Sequence, residues 1–187
     1  MSHAFFQRLI LISALAFGVG TVHAASQADL VAALAKSKLT LADGIRQATK
    51  TGGVAISAKF EFDDNGKLSL SVYSAQKGLS IAPEENVLQE LSGSPEQSQW
   101  KPEAEIFKDV RHVARSSEQL TLLSLTRLTL LDVINKAQEK HLGTIFSITP
   151  EIKQHKPVAV MLVGKSGKVT ELTYNLLDGA LIGTRPH

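Results

Sequence analysis

The sequence predicts an α+β protein: two repeated helix-plus-antiparallel-sheet units joined by a partly helical bridge. Three observations lead there. The segment KLTLADGIRQA (Lys38–Ala48) recurs as RLTLLDVINKA (Arg127–Ala137), with Leu, Thr, Leu, Asp, Ile and Ala at matching places. Self-similarity at a fixed offset is the signature of a duplicated structural unit. After each copy the apolar spacing changes from three or four residues to strict alternation, a change from helix to strand. Glycines and an Asn-Gly pair punctuate the alternating runs where turns are required.

The elements follow in order. Arg8, the apolar run Leu9–Val19 and the small residues around Val22-His23-Ala24 read as a secretory signal peptide over residues 1–24, cleaved after Ala24 or Ala25. A membrane anchor is the weaker reading, because the run is about half the ~20 residues that span a bilayer. The first unit covers 26–81. A short helix, Gln27–Ala35, precedes a capping box, Thr40-x-x-Asp43, in which the hydroxyl and the acid satisfy each other's orphan backbone N–H groups. Leu41, Ile45 and Ala48 form one apolar helix face, ended by Gly52-Gly53. Val54, Ile56, Ala58, Phe60 and Phe62 alternate with Ser57, Lys59 and Glu61, as in a half-buried strand. The turn Asp63-Asp64-Asn65-Gly66 then returns the chain through Leu68, Leu70 and Val72.

Residues 82–114 are expected to bridge the units: a brief helix at Glu84–Leu91, a turn-rich linker from Ser92 to Pro102, and a helix around Ile106, Phe107, Val110 and Val113, with an extended strand as the alternative. The second unit, 115–187, opens with a helix over Ser117–Leu125 and the capping box Thr129-x-x-Asp132, and Gly143 ends its main helix. Phe146, Ile148 and Ile152 match the first strand. Pro150 stands where Phe60 does and cannot donate to a ladder, so an edge or a bulge is expected there. Val158, Val160 and Leu162 are placed on the inner face in parallel with Leu68, Leu70 and Val72, and Val169–Asn175 closes the unit.

The unit L-T-L-x-D-x-I-x-x-A, a glycine, an alternating strand, a turn and V-x-V-x-L-V resembles a PepSY domain. Leu128–Ala137, Pro157–Val163 and Glu171–Ile182 of the second copy carry the likeness best; Asn175 stands where the family usually has Asp, and Leu177-Asp178-Gly179 replaces the usual Thr-Gly turn. The resemblance covers somewhat over half of the chain beyond the signal peptide, and its motifs are structural. It implies an exported, non-catalytic binding role, with restraint of a peptidase as one form. In architecture alone, a tandem helix-plus-sheet protein is also similar to secreted inhibitors of β-lactamase.

Composition narrows the function. Of 187 residues, 20 are Lys or Arg and 18 Asp or Glu, net +2, with no basic stripe interleaved with aromatics, so nucleic-acid binding is not expected. The absence of cysteine removes disulfides, thiolate metal sites and thiol catalysis. Gly164-Lys165-Ser166 imitates a phosphate loop, but the preceding Val-Met-Leu-Val has strand periodicity and no helix follows. Glu61-x-Asp63-x-Asn65-Gly66 imitates the start of a calcium loop whose twelfth position would be Val72, which offers no oxygen. His112, His141, His155 and His187 show no ligand spacing. No catalytic, metal or cofactor residue is therefore assigned, and no enzyme is expected.

One feature stands out. Ala159, Met161 and Val163 lie opposite Val158, Val160 and Leu162, making that strand apolar on both faces. A strand of this kind is covered on both sides. The three residues are either core or a candidate protein interface. The expected function is an exported, periplasmic or secreted, binding module that engages an envelope protein or a peptidase; the alternative is a periplasmic carrier or sensor of a small ligand.

Overall fold

The computed structural model describes residues 26–140 and 143–187. The expected signal peptide at 1–24 and its cleavage site lie outside the described residues, as does His141. No described helix is long and apolar enough to cross a membrane.

Two short helices, α1 (Gln27–Ala33) and α2 (Leu41–Ala48), lead into four strands: β1 (Val54–Phe62), β2 (Leu68–Ala75), β3 (Leu88–Gly93) and β4 (Glu103–Ile106). Then α3 (Val110–Ser124) and α4 (Leu130–Gln138) lead into β5 (Thr144–Lys153), β6 (Lys156–Lys165), β7 (Lys168–Asn175) and β8 (Leu181–Pro186). All eight strands form one antiparallel sheet in the order β4-β3-β2-β1-β5-β6-β7-β8. The class is α+β.

Both expected capping boxes are formed. Thr40 and Thr129 each accept from the backbone N–H of the acid three residues on, and Asp43 and Asp132 each accept from the backbone N–H of the cap. A third, Ser26 with Asp29, starts α1. The hydroxyl hydrogen bonds hold the carboxyls of Asp43 and Asp132 below the ordinary aspartate range. Helices α2 and α4 bury Leu41, Ala42, Gly44 and Ile45, and Leu130, Val133, Ile134 and Ala137.

The segment 82–106 departs from expectation. Glu84–Leu91 is not a helix: one 3-10 turn at Pro83–Glu85 precedes strand β3, and Ile106 ends strand β4. Leu88 and Leu91 are three apart, a helical spacing, but in β3 they face opposite sides of the sheet. Leu88 pairs with Ala75 and Leu91 with Val72. The open edge of β2 recruits this segment, and the stretch before β4 is anchored by Trp100, 6% exposed, whose backbone N–H donates to Gln47 Oε1 and whose indole donates to the Gly93 carbonyl.

Strand β5 lies between β1 and β6, and Pro150 pairs with Ala159 of β6. The β1–β5 ladder consists of Ala58↔Ile148 and Lys59↔Ser147, so Pro150 needs no donor toward β1. The alternation in β1 is broken by a bulge at Ile56, where Ala55↔Ser74 is followed by Ser57↔Tyr73, and Val54 thereby shares a face with Ser57 rather than with Ala58.

Candidate functional site

One face of the sheet is core. Gly44 of α2 approaches Leu70 so closely that a Cβ there would lie 2.3 Å from Leu70 Cδ2. Ala58, Phe60, Leu70, Val72, Ile148 and Leu172 on this face are 0–2% exposed. Ala159, Met161 and Val163 are on it too, at 0, 0 and 5%. Their reading as a protein interface is therefore corrected: they are core.

The physical reason is one residue of loop length. In the first hairpin Phe62 pairs with Leu68; in the second, Ile152, which the repeat expected from the sequence aligns with Phe62, pairs with Pro157, after a turn in which Gln154 and His155 both take positive φ. The second loop is one residue shorter, and a shift of one residue moves every side chain of a strand to the other face. On that alignment Met161 takes the place of Val72, while Val158, Val160 and Leu162 take those of Ser69, Ser71 and Tyr73.

The opposite face is covered too at Val158 and Val160, 0 and 8% exposed, and it carries the polar chemistry. Lys59, Glu61, Ser71, Tyr73, Glu90 and Ser92 line a shallow groove of 340 Å³ on β1–β3. The bulge at Ile56 and the pairing Lys59↔Ser71 bring them to one side. Ser71, 1% exposed, donates to Glu61 Oε1 at 2.8 Å, and the Lys59 ammonium pairs with Glu61 Oε2. The ammonium also stands 5.7 Å from the centre of the Tyr73 ring. Burial pulls the Lys59 pKa down, but the Glu61 carboxylate outweighs it and the net shift is upward; burial raises that of Tyr73. Phe107 stacks on Tyr73 at 5.6 Å, His112 stacks on Phe107 at 5.1 Å, and Asp109, the N-cap of α3, accepts from the His112 backbone and contacts its ring. Helix α3 packs against β5, β1, β2 and β3, and Ser116, Gln119, Leu120 and Leu123 are buried along it.

The corresponding place in the second half is an ion cluster. Glu171, with its side chain 5% exposed, accepts from Arg185 at 2.7 Å and Lys153 at 2.9 Å, with His187 at 3.6 Å. The Arg185 hydrogen bond, reinforced by Lys153 against the opposing effect of burial, pulls the Glu171 pKa down to about 2.

Sequence reasoning missed both clusters. Ser57-Lys59-Glu61 is legible as the polar side of a strand, but which strand lies beside it depends on the register. The two imitated motifs are hairpin turns. Asp63 accepts from the backbone N–H groups of Asn65 and Lys67, and Ser166-Gly167 forms a positive-φ turn between β6 and β7. No group of three metal-ligating side chains occurs among the described residues.

No family model matches the chain, and no curated protein matches it. Among solved structures, a candidate lipoprotein from Clostridium difficile 630 aligns with a TM-score of 0.39 and 10% identity, over 76% of this chain and 87% of that one.

Proposed function

We propose that this is an exported, non-catalytic binding module made of two copies of one unit, and that it engages an envelope or secreted protein through the polar groove of its first half. The duplication reading rests on repeated irregularities. Each unit has a capped helix, then a strand with a bulge two residues before a matching position, at Ile56 before Ala58 and at Phe146 before Ile148. Ala58 and Ile148 then pair with each other across the β1–β5 seam, as equivalents do about a two-fold axis. On this reading β3 and β4 belong to the first copy, and α3 opens the second.

The observation that carries the binding role is the Lys59–Glu61–Ser71–Tyr73 cluster: a half-buried cation paired with a carboxylate that Ser71 holds, beside the Tyr73 ring, all open along a groove. Preorganised aromatic and charged side chains of this sort anchor protein interfaces. A peptidase is the partner class that the PepSY resemblance implies.

The test compares capture from an envelope extract by the protein and by Tyr73→Ala. A partner retained by the first and lost by the second, with an unchanged melt, supports the proposal. An identical set of captured proteins overturns it. A small molecule that co-purifies in native mass spectrometry and is lost from Tyr73→Ala favours the carrier alternative.

A further inference from the structure

We propose that the exposed edge of β4 accepts an extended basic segment of a partner as a ninth strand, with its Arg or Lys side chains set against Glu90, Glu103 and Glu105. This rests on the binding-module reading and adds to it the chemistry of the partner.

The first observation is the edge itself. All four residues of β4 are exposed, and β3 is its single neighbour in the sheet. One row of β4 backbone N–H and C=O groups is therefore unpaired by any strand. Such a row is a template for strand addition, and proteins guard it with charge and proline. Pro102 precedes β4, and Glu103 and Glu105 stand along it. These acids repel a second β4, because like charges directly opposite are destabilising. Against a basic strand the same acids attract.

The second observation comes from comparing the two halves. Their registers make Glu90 the counterpart of Glu171 and Glu105 the counterpart of Arg185. In the second half this cross-strand pair is of opposite charge, and Lys153 completes it. In the first half Glu90 lies directly opposite Glu105, Glu103 lies beside Ser92, and no ion pair among the described residues includes any of the three acids. The first half thus has a carboxylate, Glu105, where its twin has Arg185, and its groove cation Lys59 is paired with Glu61 instead. A guanidinium from an added strand would lie one strand spacing, about 4.8 Å, from Glu105 and two from Glu90, within the reach of an arginine side chain laid across β4. Exposed Ile106, at 52%, ends β4 on the side opposite the acids and offers apolar contact to an alternate residue of such a strand.

The probe is a capped octapeptide of alternating Arg and Val, titrated at low ionic strength against the full chain, with a Glu-Val octapeptide as control. Binding is read by anisotropy and by hydrogen exchange of the amides of residues 103–106. The Arg-Val peptide is expected to bind and to protect those amides; the Glu-Val peptide is not. Glu105→Arg, which rebuilds in the first half the pairing present in the second, is expected to weaken binding at least tenfold while leaving the melt unchanged or raised. Undiminished binding to Glu105→Arg, or binding without protection of 103–106, overturns the inference. So does a wild-type mass that rises with concentration and falls back in Glu105→Arg, since a second copy would then occupy the edge. These outcomes leave the Tyr73-dependent capture untouched, so the failure of the edge and the failure of the groove are separable.

Discussion

At the scale of residues, burial decides what a charge can do. Glu171 keeps its carboxylate because Arg185 and Lys153 reach it. Hydrogen bonds to charged groups contribute ~1.5–3 kcal/mol, and the exposure of Arg185 screens part of that. Arg185→Ala is therefore expected to cost roughly 1 kcal/mol at neutral pH. The folded pKa is depressed from 4.5 to about 2, so this stability is complete above 4.5 and is lost as the pH falls toward 2. The urea midpoints of wild type and variant should differ at pH 7 and converge near pH 2; a gap that persists at pH 2 would contradict the assignment. Met161 is the opposite case. It is fully buried, with no cation in its layer of Ala58, Val72, Ile148 and Leu172. Met161→Glu should lower the melt by many degrees, since an unpaired buried charge is costly, and Met161→Ala should cost about 2–5 kcal/mol. A melt unchanged in Met161→Glu would return that face to the surface.

At the scale of elements, local signals were legible and relations between elements were not. The capping boxes, the turn at Asn65-Gly66 and the strands β1, β5, β6 and β7 follow from short-range rules that need only neighbouring residues. The face of β6 did not, because it depends on whether a loop holds one residue more or fewer. Neither did β3, whose Leu88 and Leu91 serve two layers at once. The polar groove was illegible for the same reason, since Lys59, Tyr73 and Glu90 meet only once three strands are in register. The helix–sheet contact shows what the register does to packing. Gly44 on α2 lies against Leu70, and on the proposed duplication the aligned residues are Val133 and Ala159. The small residue is on the helix in the first case and on the strand in the second, so the summed volume is nearly kept. Gly44→Ala should accordingly destabilise by about 1–3 kcal/mol through overpacking against the fully buried Leu70, despite the ~1 kcal/mol that alanine gains in an exposed helix. A rise in the urea midpoint would show that Leu70 can move aside.

At the scale of the molecule, the two halves share more than the seam. The β1–β5 ladder has two residue pairs, too few to hold two independent domains in one sheet. The helices that open each half cross over. Helix α1 packs against β7 of the second half, and Gly164 on the neighbouring β6 leaves room for Val31, a Cβ there meeting the Val31 side chain at 2.7 Å. Helix α3 packs against β1, β2 and β3 of the first half. Each half therefore completes the other's cover, and the core cluster runs unbroken from Leu34 to Leu176. This arrangement predicts one cooperative unfolding transition, not two. Thr40→Ala and Thr129→Ala remove equivalent caps in different halves, at ~1 kcal/mol each. If the halves unfold together, each variant moves the whole transition by a similar amount, with fluorescence of Trp100 in the first half and far-ultraviolet circular dichroism giving coincident curves. If the halves are independent, Thr129→Ala leaves the Trp100 curve where it was while the dichroism curve broadens, and the reciprocal packing of α1 and α3 contributes nothing to holding the sheet together.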